Sequence, residues 1–146
     1  MTHTLTGSCH CGALHLTFET PTPLDALPLR ACACSFCRKH GARSTSDPAG
    51  RVHLTVDDPA ALLRYRFGTR TAEILICGNC GIYLAATAAI DGALYAVVNV
   101  NTLDDRTPFD RVPEVTNRDH EDAEQRASRR RATWIPATLD VASAAR

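Results

Sequence analysis

The seven cysteines of the 146-residue chain fall into three short sets, and their spacing limits the possible folds more than any other feature. Thiolates two or three residues apart can bind one metal ion together, and four of them complete a closed tetrahedral zinc site. The first and last pairs together predict a structural zinc, for which the fold must bring distant parts of the chain together. The sets are Cys9-x-Cys11, Cys32-x-Cys34-x2-Cys37 and Cys77-x2-Cys80.

The surroundings of the last pair favour a metal site over a redox dithiol. Gly78 and Gly81 permit the sharp turn that directs both thiolates at one ion. A redox pair needs a helix after its first cysteine, whereas residues 82–86 are typical of a strand. An iron–sulfur cluster is a further alternative for four thiolates, but the spacing matches neither common ferredoxin run.

The middle set, Cys32, Cys34 and Cys37, predicts a second zinc with a different role. Three protein thiolates leave one coordination position open, which is typical of a catalytic zinc. The site would be closed instead if His40 or His10 supplied a fourth ligand. Three thiolates and Zn²⁺ sum to a net charge of about −1, which suits a soft ligand such as an incoming thiol better than the activation of water.

Two groups of basic residues are candidates for binding the charged parts of a substrate. Arg38 and Lys39 directly follow the middle set, although they could equally be solvated surface residues. The second group lies in a predicted C-terminal helix, where an exposed face with salt bridges is the alternative to capture of carboxylates. It consists of Arg126, Arg129, Arg130 and Arg131. Asn99 and Asn101 alternate with valines, so they are candidates for facing a polar cavity, whereas Trp134 is expected to anchor the helix to the core.

Overall charge and composition exclude several classes of function. Lys plus Arg and Asp plus Glu both total 16, so no surplus charge is available to attract nucleic acid or an anionic membrane. No segment approaches the roughly 20 apolar residues that cross a bilayer. The first residues lack the basic and apolar regions of a secretory signal. We therefore expect a cytoplasmic protein, in which clustered cysteines bind metal more readily than they form disulfides.

Hydrophobic periodicity predicts a mostly β domain over residues 1–136. Apolar and polar residues alternate over 13–19 and 51–56, residues 63–67 and 71–76 flank a hairpin turn, and residues 94–100 are typical of a central strand. Residues 119–131 contain strong helix formers, with acidic residues early and arginines late. Pro136 should stop this helix, and residues 137–146 are expected to be a frayed tail.

These motifs together resemble the glutathione-dependent formaldehyde-activating enzyme family. The resemblance is carried by Gly7-Ser8-Cys9-His10-Cys11-Gly12, by Cys32-x-Cys34-Ser35-x-Cys37-Arg38-Lys39-x-Gly41 and by Cys77-x2-Cys80-Gly81. It implies the β-tent fold of small antiparallel sheets, a structural zinc on the first and last pairs and a catalytic zinc on the middle set. Ala33 stands where relatives often have histidine, and residues 119–136 resemble a bacterial subgroup known only as aldehyde-activating.

The resemblance implies addition of formaldehyde to glutathione, which is the reaction of a carbon–sulfur lyase run in reverse. We therefore predict a zinc-dependent enzyme that activates a small thiol for addition to an aldehyde. A non-enzymatic module of the same fold, which binds a protein or a small thiol, is the alternative. A fourth protein ligand at the middle site would favour the module.

Overall fold

The computed structural model describes residues 1–143, and this part of the chain is mostly β, as the sequence predicts. Two α-helices accompany the strands, α1 (Ser35–His40) and α2 (Ala123–Thr133). The strands are β1 (His3–Ser8), β2 (Leu14–Thr20), β3 (Arg30–Cys32), β4 (Ser44–Thr45), β5 (Arg51–Val56), β6 (Leu62–Tyr65), β7 (Glu73–Cys77), β8 (Tyr83–Ile90), β9 (Ala93–Asn99), β10 (Glu114–Thr116) and β11 (Ile135–Val141).

Strands β1, β2 and β5 form one end of the sheet and pair antiparallel in that order. In β2 the apolar residues Leu14, Leu16 and Phe18 are buried and alternate with half-buried polar residues. In β5 every second residue is buried in the same way. The alternation predicted from the sequence is confirmed here because successive side chains of a strand point to opposite faces.

The centre of the sheet is β9, which pairs with β8 on one side and with β4 and β11 on the other. Its predicted position as a central strand is therefore confirmed. The adjacent β8 is buried from Tyr83 to Ala88, and its many alanines allow close packing on both of its faces. The predicted hairpin is also confirmed, since β6 and β7 pair antiparallel around a turn in which Gly68 and Arg70 have positive φ.

The expected frayed tail after Pro136 is wrong for most of that segment. Strand β11 pairs with β9 through Ile135 and Pro136 and then parallel with β5 through residues 137–141. Ala137, Leu139 and Val141 pack against the core while the residues between them are exposed, which is the period-two pattern of a strand. Residues 144–146 lie outside the described part of the chain.

Helix α2 is the C-terminal helix that the sequence predicts, although it begins later, at Ala123. Asp122 is its N-cap and forms a capping box, since its side chain accepts a hydrogen bond from the Gln125 N–H while the Gln125 side chain accepts one from the Asp122 N–H. The helix ends at Thr133. The next residue, Trp134, is buried in a hydrophobic cluster that also contains Tyr83. No helix in residues 1–143 is long and apolar enough to cross a membrane.

Candidate metal centres and cavity

The first and last cysteine pairs converge at one end of the sheet. Cys9 and Cys11 lie in the turn between β1 and β2, Cys77 ends β7, and Cys80 lies in the turn before β8. All four sulfurs lie within 4.8 Å of one another, although Cys11 and Cys77 are 66 residues apart in the chain. The cysteines are free thiols and form no disulfide.

The separations between these sulfurs fit a tetrahedral zinc ion. The Cys9 and Cys11 sulfurs are 3.7 Å apart, and the Cys11 and Cys77 sulfurs are 3.5 Å apart. Four sulfurs at the usual Zn–S distance of about 2.3 Å would lie about 3.8 Å from one another. The donor set therefore fits zinc in both chemistry and spacing.

Backbone N–H groups support thiolates at this end of the sheet. The Leu14 N–H donates a hydrogen bond to the Cys9 sulfur at 3.3 Å. At Cys80, burial acts to raise the pKa of the thiol, but hydrogen bonds from the Cys11 and Ile82 N–H groups outweigh it and lower the pKa to about 6. Gly81 has a φ of 81°, which lets the chain turn directly after Cys80 and before β8.

The middle set forms a second cluster at the junction of β3 and α1. Cys32 ends β3, Cys34 is the N-cap of α1, and Cys37 lies in its first turn. The Cys37 N–H donates a hydrogen bond to the Cys34 sulfur at 3.3 Å, and the three sulfurs lie within 4.8 Å of one another. A short helix, α1, therefore positions two of the three sulfurs.

The described residues provide no fourth ligand at this second cluster. Across residues 1–143, neither a histidine nor a carboxylate joins the three sulfurs. The His40 ring packs 4.5 Å from that of Phe36 and 5.9 Å from that of Tyr83, and His10 is exposed near the first cluster. The three cysteines therefore fit three positions of a tetrahedral metal ion.

The three thiols of the second cluster differ in the direction of their pKa shifts. A hydrogen bond from the Cys37 thiol, opposed by burial, lowers the pKa of Cys32 to about 5. The same hydrogen bond, together with burial, raises the pKa of Cys37, and burial raises that of Cys34. A divalent cation would replace these protons and favour three thiolates, since metal binding and deprotonation of the ligands are coupled.

A cavity of about 510 Å³ opens onto the second cluster, a size typical of small-molecule sites. Cys32, Cys34 and Cys37 all line it. Tyr83, Phe67 and Trp134 contribute apolar wall, and Asn99 contributes a polar one. The cavity therefore combines three thiol groups with apolar and polar walls, and it is large enough for a peptide-sized ligand.

The positions of other predicted residues clarify their roles. Asn99 lines the cavity and donates a hydrogen bond to the Tyr83 carbonyl at 2.9 Å, whereas Asn101 is exposed and bonds to the Gly41 carbonyl. Trp134 anchors the end of α2 in the core, as expected, but also lines the cavity. Arg38 and Lys39 are exposed and do not line the cavity, so their role as substrate contacts stays a prediction.

The sequence allows two roles for the arginines of α2, an exposed face with salt bridges or capture of carboxylates, and the structure shows residues in positions that suit each role. Arg126, Arg129 and Arg130 line the cavity. Arg131 is exposed on the helix, forms an ion pair with Asp91 at 2.9 Å and does not line the cavity. Burial, followed by the repulsion of Arg129 and Arg126, lowers the pKa of Arg130 to about 10, so this side chain is still a cation at neutral pH.

Sequence analysis did not identify Arg30 and Arg118, which also line the cavity. Arg30 is two residues before Cys32 on β3, and residues i and i+2 of a strand face the same side. This parity was the available signal for Arg30. No local pattern marks Arg118, because it lies between β10 and α2 and reaches the cavity only through the path of the chain.

Comparison with known proteins identifies the family of this chain. The sequence model of the family described as "Glutathione-dependent formaldehyde-activating enzyme" matches residues 4–118. A crystal structure of a Rhodobacter sphaeroides protein from a structural genomics programme is similar, with 35% identity and a TM-score of 0.56. The alignment covers 76% of this chain and 99% of that one. The chain belongs to the glutathione-dependent formaldehyde-activating enzyme family, as its cysteine motifs predict.

Proposed function

We propose that the protein is a zinc-dependent carbon–sulfur lyase that joins a small thiol similar to glutathione to an aldehyde such as formaldehyde. The observation that carries the proposal is the opening of the cavity onto three convergent cysteine sulfurs without a fourth protein ligand among the described residues. The four-cysteine cluster would hold a structural zinc and the three-cysteine cluster a catalytic one. Family membership supports glutathione and formaldehyde as the pair of substrates.

The residues around the second cluster would position and activate the substrate thiol. A zinc ion held by Cys32, Cys34 and Cys37 would offer its open position to the substrate sulfur and lower the pKa of that thiol. The Cys37 N–H, through its hydrogen bond to the Cys34 sulfur, fixes the direction of one ligand. The apolar wall of the cavity would exclude water from the sulfur and the aldehyde.

The chemical step requires no oxidant or reductant. The substrate thiol loses its proton to solvent, and its sulfur attacks the carbonyl carbon of the aldehyde. A carbon–sulfur bond forms, the π bond of the carbonyl breaks, and its oxygen takes up a proton to give a hydroxymethyl thioether. Burial and the neighbouring Cys37 raise the pKa of Tyr83, so the phenol keeps its proton and can donate a hydrogen bond to the developing oxyanion.

Calorimetry with a matched pair of ligands tests the role of the sulfur. Glutathione should bind with release of about one proton at neutral pH, measured in two buffers of different ionisation enthalpy. S-methylglutathione has no thiol proton and should bind at least about tenfold more weakly. Equal affinities without proton release would show that the sulfur does not reach a metal ion. The binding-module alternative would then explain the cavity better.

Exchange NMR tests the reaction itself. Glutathione and formaldehyde form their hydroxymethyl adduct reversibly, so a catalyst should increase the exchange rate between the free and adduct signals above the rate without protein. The matched control is Cys34→Ser, which removes one sulfur of the second cluster and should abolish this increase. Tight thiol binding without any effect on the exchange rate would favour a module over an enzyme.

We also propose the cytoplasm as the compartment of this activity. All seven cysteines are free thiols, and both clusters need reduced sulfur to bind metal. Fractionation of cells that express the protein would test this assignment.

A further inference from the structure

The cavity carries more positive charge than its protein partners neutralise. Five arginines but a single carboxylate, Asp119, line it. Arg129 is neutralised, because its guanidinium binds both carboxylate oxygens of Glu121 at 2.9 and 3.0 Å. Among residues 1–143, no carboxylate lies within ion-pair distance of the other four arginines. They are Arg30, Arg118, Arg126 and Arg130.

Arg130 is the least satisfied of these cations. The residue is only 6% exposed, and its buried Nε has no hydrogen-bond partner. The guanidinium donates one hydrogen bond, from Nη1 to the Thr71 hydroxyl, and lies 4.9 Å over the Trp134 ring. A buried charge without a counter-ion costs free energy. An anionic ligand in the cavity would supply the missing counter-ion.

The neighbouring arginines increase this need for an anion. Arg126 and Arg130 are four residues apart on α2, where like charges destabilise a helix. Arg126 donates a hydrogen bond to the Arg118 carbonyl at 2.8 Å, which keeps the chain at Arg118 beside the helix. The Arg118 side chain makes no hydrogen bond or ion pair within the described chain, although it is half-buried and lines the cavity.

The dimensions of this wall limit the ligand that can bind it. The lining residues run along α2 from Arg126 to its C-cap, Trp134, which at a rise of 1.5 Å per residue is about 12 Å. Three extended residues of a peptide span roughly 10 Å. This wall is long enough for the thiol of the proposed reaction, and we propose that Arg118, Arg126 and Arg130 form the subsite that binds its carboxylates.

This subsite lies largely outside the segment that the family model matches. The match ends at residue 118, and α2 begins at Ala123. The cysteines that provide the reaction and the arginines that select the substrate therefore belong to different parts of the chain. The proposal rests on the proposed function for its thiol, but its arginines can be tested with a ligand that lacks a thiol.

Binding of S-methylglutathione tests the subsite separately from the sulfur site, because this ligand keeps both carboxylates but has no thiol. Arg130→Gln and Arg118→Gln should each weaken the binding of S-methylglutathione and of glutathione by the same factor, about tenfold for one lost charge-assisted hydrogen bond. Arg131→Gln is the matched control on the same helix and should leave both affinities unchanged. Cys34→Ser should weaken the binding of glutathione only, and the remaining affinity should equal that of S-methylglutathione.

A ligand without carboxylates completes the test. The diethyl ester of glutathione keeps the thiol but loses both negative charges, so its affinity should not depend on Arg118 or Arg130. Arg130→Gln should remain folded, with an unchanged or higher Tm, because it removes a buried charge without a counter-ion. If Arg130→Gln unfolds, the affinity of Arg118→Gln for S-methylglutathione still tests the subsite.

Two results would overturn the subsite. One is binding of S-methylglutathione to Arg118→Gln with the affinity of the Arg131→Gln control. The other is no binding of S-methylglutathione to the unmodified protein at millimolar concentration. Neither result would affect the proposed thiol chemistry, whereas equal binding of glutathione and S-methylglutathione would refute that chemistry and leave the arginine subsite intact.

Discussion

The two cysteine clusters should differ sharply in their contribution to stability, and the difference follows from the length of chain that each one closes. A zinc on the first cluster cross-links Cys11 and Cys77, which are 66 residues apart. A zinc on the second cluster closes only the five-residue separation between Cys32 and Cys37. A cross-link stabilises the folded state by restricting the unfolded chain, and its effect grows with the logarithm of the loop length.

The loop-closure relation gives the size of the difference. A cross-link over 66 residues lowers the free energy of the folded relative to the unfolded state by about 4 kcal/mol, and one over five residues by about 2 kcal/mol. Domains of this kind have unfolding free energies of about 5–15 kcal/mol. Cys80→Ser should therefore remove a large part of the stability, and Cys34→Ser should leave a folded protein with about one zinc ion.

Urea unfolding followed by the fluorescence of Trp134, the single tryptophan, would measure both variants. The two substitutions are well matched, because Cys34 and Cys80 are both half-buried thiols in turns or caps. Native mass spectrometry would count the zinc ions in each variant. Equal losses of unfolding free energy in the two variants would refute the loop-length argument and, with it, the division into structural and catalytic sites.

Two further predictions concern local polar interactions. The pKa of Asp47 is lowered, since the hydroxyls of Thr20 and Thr22 outweigh the effect of burial, so its charged form stabilises the fold above the unfolded-state pKa of about 4. Asp47→Asn should lower the Tm at pH 7, and this difference should disappear as the pH falls below about 4, whereas a constant difference would contradict the assignment. Asp122→Ala removes the capping box of α2 and should lower the unfolding free energy by about 1 kcal/mol in urea titrations, with Asp140→Ala, an exposed substitution on β11, as the control.

The sequence predicts the parts of this fold whose signal is local. Strands β2 and β5 alternate apolar and polar residues, and the cysteine spacing directly reports which residues can share an ion. Strands β3, β4 and β10 have two or three residues, too few for any period to be recognised. They form because neighbouring segments offer backbone partners, and this information is not contained in the strands themselves.

The sequence marks the cysteine side of the cavity and gives Asn99 and the arginines of α2 as candidates, but it does not predict that these residues meet in one cavity. The cysteines are marked by a motif, whereas the arginines reach the same space from three separate segments of the chain. Arg118 precedes α2 and Arg30 lies on β3, so their convergence depends on the parallel pairing of β10 with β3. In that pairing Thr116 is opposite Cys32, and this register places the approach to α2 beside the second cluster.

Strand β11 has a consequence for the order in which the protein can fold during its synthesis. The strand lies between β5 and β9, and its contact between His53 and Thr138 joins residues 85 positions apart. Until the ribosome has released residues 135–141, the edge of β5 and part of the edge of β9 have no partner. Unpaired edges associate readily with other chains. The newly made chain therefore keeps this edge open to aggregation until residues 135–141 have been synthesised, and chains that terminate before Ala137 keep an open edge on β5.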